Sequence, residues 1–423
     1  MVINISCLFI FIIWMYIFFL KKNYIHVITF LWWGIFFPLF LYNLNWSTLI
    51  DTRNCQMFNY MVIMIVLITI IYSFLSANIK PQKIEENQSI EMTNFGLIIA
   101  TFLNLLFIFL YLLENYMGSG TIIPGMKGID MHNQYSAPVI SYITNTSYLF
   151  LSFDFLAYRA TRKKSYLVWM LVIIAIPIIT RSARMNIVMA IVQLLCLYTL
   201  FAKKNLLYKR KDHKLFKNSI ISILCMCLAV GLMAFTNYRM SHYGMYDINY
   251  ADTTGWNGPT FLKWLAPYYG YFPLSFNNLK INVANRVINH NYLGLYSFNS
   301  LYFGIFHIDR LFGIDSNAAS SNNLITNSAA NVPTGFWDFY YDYGVLFFIP
   351  FICALLILFF FLVNTKKGKN SLAFRALYCW YVTYFFFMSF QNTLYMSVSI
   401  IDGLLIFLII KYSFNLNTYK LNH

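Results

Sequence analysis

The chain has 423 residues, of which 59% are hydrophobic and only 11% are charged, and its mean hydropathy is +0.59 at a net charge of +15. A soluble globular domain carries about 25% charged residues, so this composition excludes that class. Apolar runs long enough to cross a roughly 30 Å hydrocarbon core as helix recur from one end of the chain to the other. The composition therefore predicts an all-α polytopic membrane protein.

Eleven apolar runs predict about eleven transmembrane helices. They lie at residues 3–20, 24–44, 57–76, 94–114, 138–157, 165–180, 185–202, 218–236, 340–363, 376–391 and 394–411. No basic residue precedes the first run, and Lys21 and Lys22 follow it directly, so we interpret it as a retained helix with its N-terminus outside. Alternation from this start places the C-terminus in the cytoplasm.

The distribution of basic residues supports this orientation. Most of the 30 Lys and Arg residues fall in the predicted cytoplasmic connections, as the positive-inside rule requires. Examples are Lys80, Lys83, Arg159, Arg162, Lys163, Lys164, Lys366, Lys367, Lys369 and Arg375. The positive charge is thus explained by topology. Because it is scattered over short loops, it argues against nucleic acid as a partner.

One predicted outer segment, residues 237–339, is far longer than any other connection. The predicted organisation is an N-terminal bundle of eight helices at 1–236, this extracytoplasmic loop at 237–339, and three helices with a cytoplasmic tail at 340–423. Long loops without regular structure usually carry function. The stretch from Pro259 to Leu279 mixes aromatic residues with prolines, which predicts short helices lying on the membrane surface.

Four arginines on the predicted outer side run against the charge bias. Arg181 and Arg184 lie in a very short predicted turn before the seventh helix. Because they are three residues apart, they would share one face at the start of that helix, beside its free backbone N–H groups. A fixed guanidinium pair suits bidentate phosphate binding. The alternative is that both arginines only anchor the helix end in lipid headgroups. Arg239 and Arg286 are further candidates for phosphate binding. The alternative for Arg239 is a membrane anchor, and the alternative for Arg286 is a structural salt bridge.

Three patches of sequence resemble the oligosaccharide repeat-unit polymerases, the Wzy-type O-antigen polymerase family. The first is the exit from the loop, NVPTGFWDFYYDYG at 331–344, in which Asn331 and Thr334 precede aromatic residues, Asp342 and Gly344. The second is the arginine turn at 181 and 184. The third is YYGYFPLSFNNL at 268–279. Many helices with one long external loop late in the chain also match this family's plan.

The resemblance implies an enzyme, a glycosyltransferase that polymerises polyprenyl-pyrophosphate-linked oligosaccharide repeat units into O-antigen or capsule. The reaction would take place at the outer face of a bacterial cytoplasmic (inner) membrane, with the lipid pyrophosphate as leaving group. The implied partners are the lipid-linked oligosaccharide and membrane lipid, with a chain-length regulator and a flippase as candidate protein partners. No cofactor is implied. No metal is predicted either, since the chain has no Asp-x-Asp pair and its histidines lack ligand spacing.

Residue roles follow from this resemblance. A base toward the acceptor hydroxyl is expected among Asp338, Asp342 and His290. Pyrophosphate binding is expected from Arg181, Arg184, Arg239 and Arg286. Glycan contacts are expected from Asn331, Thr334, Trp337, Tyr341, Tyr268 and Tyr269. Asp338 and Asp342 are four residues apart on a forming helix, so they would share one face at the outer membrane interface. The alternative is that the aromatic residues only form an interfacial belt and that Asp342 caps the start of a helix.

Two other functions stay open. O-antigen ligases share the general plan, but their loop exit usually carries His-Asn, and here Ala330 precedes Asn331, which favours a polymerase. A transporter or flippase could use the intramembrane acids Asp154 or Asp402 as a relay. The absence of a visible internal repeat argues against that second reading.

Overall fold

A computed structural model describes residue 9 and residues 32–77, 79, 88–124, 147–181, 184–201, 250–285, 294–312, 334–365, 371–390 and 397–418. Within these ranges the chain is mainly α-helical. The helices are α1 (Phe37–Asn43), α2 (Gln56–Ala77), α3 (Asn94–Ser119), α4 (Ser147–Thr161), α5 (Ser165–Arg181), α6 (Arg184–Leu200), α7 (Tyr250–Thr253), α8 (Ala266–Tyr271), α9 (Pro273–Asn285), α10 (Ile308–Phe312), α11 (Gly335–Tyr343), α12 (Phe348–Asn364), α13 (Ser371–Phe386) and α14 (Ser397–Ser413).

Two described helices, α2 and α3, are long and apolar enough to cross a membrane, and the bent pair formed by α11 and α12 would make a third span. Both α2 and α3 expose large apolar side chains to their surroundings, among them Leu67, Ile71, Ile98 and Phe102. Water disfavours such a surface, whereas lipid tails accept it. The described part of the chain is therefore that of a helical membrane protein.

Several predicted helix boundaries agree with the structure. The runs at 57–76, 165–180 and 185–202 correspond to α2, α5 and α6 within two residues. The run at 94–114 begins where α3 begins, but α3 continues to Ser119 and ends at Gly120, whose φ of 67° closes the helix. The run at 218–236 and most of 3–20 lie outside the described residues, and 24–44 and 138–157 are described only from 32 and from 147.

The predicted single helix at 340–363 is wrong. The chain forms α11, then a short 3-10 turn at Gly344–Leu346, then α12, with a bend of 118°. Gly344 has a φ of 55°, which an L side chain rarely adopts, so the helix stops there. Pro350 falls in the first turn of α12, where its missing N–H is tolerated. Hydropathy alone could not detect this corner, because Gly344 leads directly into a long apolar run.

The last two predicted runs are displaced. The run at 376–391 corresponds to α13, which begins at Ser371 and ends at Phe386, and the run at 394–411 corresponds to α14. An antiparallel two-stranded sheet was not predicted: β1 (Gln88–Met92) pairs with β2 (Phe414–Thr418), with Ile90 opposite Leu416. Each strand has five residues in a polar connection. Strands this short give little periodicity to read.

Contacts divide the chain into two compact units, each built from separate segments. Unit 1 comprises Met1–Lys80, Ile248–Phe360 and Tyr381–Ile400; unit 2 comprises Pro81–Asp247, Phe361–Trp380 and Ile401–His423.

Unit 1 contains the described part of the long loop, packed on the chain around α1. The loop forms a 3-10 helix at Thr260–Leu265 followed by α8 and α9, so short helices are present as expected. Their position on a membrane surface stays a prediction, and α9 is largely buried in unit 1. The Tyr269 ring lies in a buried cluster with Leu41 and Leu274. Its hydroxyl donates to the Leu41 carbonyl and accepts from the Trp46 N–H, both at 3.0 Å. Tyr269 thus fixes the loop to the end of α1.

Unit 2 is a helical bundle with α4 at its centre. Helix α4 packs against α3, α5, α6 and β1. Buried polar side chains link these helices: Asn104 donates to Asp154 at 3.0 Å, and Gln193 donates to Ser152 at 2.7 Å. Such bonds between helices partly replace the hydrophobic effect, which is weak between helices in lipid.

Candidate functional site

Helix α11 carries both predicted carboxylates. Asp338 and Asp342 lie four residues apart on it, and so share one side of the helix, as predicted. Their environments differ: the Asp342 side chain is fully buried, whereas Asp338 is half-buried. The two aspartates therefore have different chemical capacities.

Asp342 connects α11 to the preceding loop. Its carboxylate accepts hydrogen bonds from the backbone N–H groups of Tyr296 at 3.2 Å and Ser297 at 2.5 Å. The Ser297 hydroxyl in turn donates to the backbone carbonyl of Asp338 at 2.9 Å. A buried carboxylate that accepts two backbone donors is well suited to hold a loop in place. We therefore assign Asp342 a positioning role and keep Asp338 as the candidate base of this pair.

Sequence reasoning missed Tyr296 and Ser297 as partners. Forty-six and forty-five residues separate them from Asp342. Nothing in their local sequence marks a backbone N–H that will meet a distant carboxylate.

The aromatic residues of α11 divide into buried and accessible ones. Trp337 is 0% exposed, and its ring lies 5.7 Å from that of Tyr341. Tyr341 is half-buried and contacts Tyr296 at 4.7 Å between ring centroids. Of the two predicted glycan contacts, Tyr341 retains accessible surface while Trp337 forms part of the core.

Thr334, directly before α11, is also buried. The adjacent Gly335 N–H donates to the Met388 carbonyl at 2.9 Å, which joins the start of α11 to the turn after α13. The hydroxyls of Thr334 and Ser389 are buried without a hydrogen-bond partner among the described residues. A glycan would reach Thr334 only after this junction opened.

The two predicted tyrosines of the loop also differ. Tyr269 is 1% exposed and holds the fold through its hydroxyl, so in this structure it offers no surface to a glycan. Tyr268 is half-buried, with its ring stacked on Phe272 at 4.8 Å and 6.2 Å from Phe37. Tyr268 is the one of the pair that keeps a partly open face.

The structure divides the arginine pair between two helices. Arg181 is the last residue of α5 and Arg184 the first residue of α6, so the prediction that both begin one helix is wrong. Only residues 182 and 183 separate them in the sequence, and the N-terminus of α6 presents backbone N–H groups beside Arg184. Their side chains lie outside the described part of the structure, as do residues Arg239, Arg286, His290 and Asn331. Their roles remain predictions.

Unit 1 also contains a polar cluster that sequence reasoning did not find. Asp51 forms a salt bridge with Arg53 at 2.7 Å, and its N–H donates to the Asn277 side chain at 2.8 Å. The Lys280 ammonium donates to the Asp51 carbonyl. The hydrogen bond from Arg53 holds the pKa of the Asp51 carboxyl below its usual range, and burial lowers the pKa of Lys280. The cluster fastens α9 to the turn before α2.

The described chain is mainly helical, with two helices long and apolar enough to cross a membrane, or three if the bent pair is one span, and with short helices in the loop before α11. The class that these features fit is a helical membrane protein. Comparison with protein-family models, curated proteins and solved structures found no match.

Proposed function

We propose that this protein polymerises polyprenyl-pyrophosphate-linked oligosaccharide repeat units at the outer face of a bacterial cytoplasmic membrane. The observation that carries the proposal is α11. The acid-aromatic-Gly segment that resembles the polymerase family forms its own helix, set at 118° to α12, and presents a half-buried carboxylate, Asp338. Asp342 fixes the loop beside that carboxylate.

Contacts within each unit are consistent with eleven spans and an outside N-terminus. In unit 1, residues 46–48 bond to residues 255–257, and this topology puts both segments outside. In unit 2, β1 pairs with β2, and both fall on the predicted cytoplasmic side. Arg375, also predicted cytoplasmic, donates to the Leu200 carbonyl at the corresponding end of α6. Contacts that joined opposite sides would have argued against this topology.

The proposed reaction is a single displacement at the anomeric carbon of the donor. Asp338 accepts the proton of the acceptor hydroxyl, whose oxygen forms the new glycosidic bond. The bond from the anomeric carbon to the pyrophosphate oxygen breaks, and polyprenyl pyrophosphate leaves with the bonding electrons. Stabilising the charge that develops on this leaving group is the role that the resemblance gives to Arg181 and Arg184.

A second candidate, a transporter of lipid-linked or polar substrates, is favoured by one observation. Asp402 on α14 is fully buried, and neither carboxyl oxygen has a hydrogen-bond partner among the described residues. An intramembrane acid in this state could exchange a proton during a transport cycle. Substitution of Asp402 and of Asp338 therefore separates the two functions.

The test is a gel of surface polysaccharide from cells lacking the gene, complemented with wild type, Arg181→Ala/Arg184→Ala, Asp338→Asn or Asp402→Asn. A polymerase gives a ladder with wild type and single repeat units with the first two variants, while Asp402→Asn restores the ladder. Repeat units trapped on the cytoplasmic side would support the transporter. Full-length polymer retained on its lipid carrier would indicate a ligase, and either result would overturn the proposal.

A further inference from the structure

Two buried polar side chains face each other between α3 and α4. Asn104 on α3 is 1% exposed and Asp154 on α4 is 0% exposed. The Asn104 amide nitrogen uses both of its hydrogens: one is donated to the Asp154 Oδ1 atom at 3.0 Å and the other to the Ala100 carbonyl at 3.1 Å. The amide thus has no hydrogen left for a further acceptor.

Two oxygen atoms of this pair are left over. Asn104 Oδ1 and Asp154 Oδ2 are both buried without a hydrogen-bond partner among the described residues. Asn104 Oδ1 belongs to the amide and Asp154 Oδ2 to the carboxyl that the hydrogen bond at 3.0 Å already joins. Two acceptors cannot satisfy each other unless one of them carries a hydrogen. The carboxyl is the group that can carry it.

Among the residues that the structure describes, no cation pairs with Asp154. The described charged side chains on α4 and on the elements packed against it are Arg159, Glu91 and Glu114, and none forms a hydrogen bond or ion pair with Asp154. Arg159 instead donates to the Phe201 carbonyl at 2.7 Å. Tyr166 on α5 lies close enough to Asp154 for the carboxyl to affect it electrostatically. An ionised Asp154 would therefore be a buried charge beside an amide oxygen, which is strongly unfavourable.

We propose that Asp154 is a proton-binding site: it is held as a neutral acid whose Oδ2–H donates to Asn104 Oδ1. The acid and the amide then form two reciprocal hydrogen bonds, and every polar atom of the pair is satisfied. The pair fastens α3 to α4 within unit 2. Asp154 is thereby a fixed structural acid and not a relay that gives up its proton, whichever function the protein performs.

The test measures protonation directly. Purified full-length protein with carbon-13-labelled aspartate is studied by infrared spectroscopy at neutral pH, and the carbonyl stretch of a protonated carboxyl is recorded. We expect such a band in wild type, its loss in Asp154→Asn, and its shift to higher frequency in Asn104→Ala, in which the acid loses its acceptor. Asp402→Asn is the matched control and leaves this band in place. If no band depends on both Asp154 and Asn104, the proposal is wrong.

Thermal unfolding supplies a second readout that does not require the spectrum. The amide created by Asp154→Asn can form the same reciprocal pair with Asn104, so the midpoint is expected to stay near that of wild type. Asp154→Ala and Asn104→Ala each leave one buried partner unsatisfied and should lower the midpoint. The double alanine variant should lose less than the sum of the two single losses. A loss in Asp154→Asn as large as that in Asp154→Ala would show that the ionised form is needed, which overturns the proposal.

Discussion

Asp342 in unit 1 and Asp154 in unit 2 are the same residue type, and both are fully buried. Asp342 meets two backbone N–H donors, while Asp154 meets one amide hydrogen and retains an oxygen without a partner. Burial alone therefore does not determine what a carboxyl can do. The number of donors that the fold brings to it decides whether it is suited to carry a charge or a proton.

The first prediction concerns the accessible neighbour of Asp342. Asp338→Asn should reduce polymer formation by about 10²- to 10⁴-fold, because an amide cannot accept the acceptor's proton. The rate is measured from the disappearance of lipid-linked repeat units in membranes. Asp252→Asn, which changes an exposed aspartate in unit 1, is the matched control. Equal activity of the two variants would remove Asp338 from the mechanism.

The second prediction tests whether Trp337 belongs to the core or to a glycan surface. Trp337→Ala should lower the free energy of unfolding by about 3–5 kcal/mol, because a fully buried ring leaves a cavity. Trp264→Ala, at a position 52% exposed, serves as the control and should change stability little. Normal thermal stability combined with weaker substrate binding in Trp337→Ala would instead identify the ring as a glycan contact.

The third prediction addresses the comparison of the two buried aspartates. Asp342→Ala leaves the N–H groups of Tyr296 and Ser297 unsatisfied, at about 1–3 kcal/mol each. Asp342→Asn should also lower the unfolding midpoint, because its NH2 group would face one of these N–H donors and cannot accept a hydrogen bond from it. Asp154→Asn should leave the midpoint near that of wild type. The thermal midpoints of the two asparagine variants therefore distinguish the two sites. Similar losses in both variants would show that the two carboxyls do not differ in this way.

The smallest effect is expected at the exposed salt bridge. Arg53→Ala should shift the unfolding midpoint less than any change above, because solvent screens this pair. The pKa of Asp51 is lowered in the folded protein, so its contribution is present at neutral pH and is lost as the pH falls below the ordinary aspartate value of 3.8. Unfolding midpoints of wild type and variant should therefore converge in acid. A difference that grows in acid would contradict this assignment.

The sequence anticipated part of the candidate site. It placed Asp338 and Asp342 on one side of a forming helix and predicted the short helices after Pro259, because helical spacing and proline breaks are local signals. It did not separate α11 from α12. It did not anticipate that Trp337 and Tyr269 would be buried. An aromatic residue has the same local signature whether it faces a core, a lipid headgroup or a sugar, so only packing distinguishes these roles.

The sequence by itself indicated a helical membrane protein and several boundaries of the apolar helices, since membrane insertion depends on the composition of one continuous segment at a time. The tertiary structure decided where the chain turns at Gly344, which donors reach Asp342, and that Asn104 meets Asp154. These features join residues that lie about 40 to 50 positions apart or depend on a single backbone angle. No local pattern of hydropathy or charge encodes them.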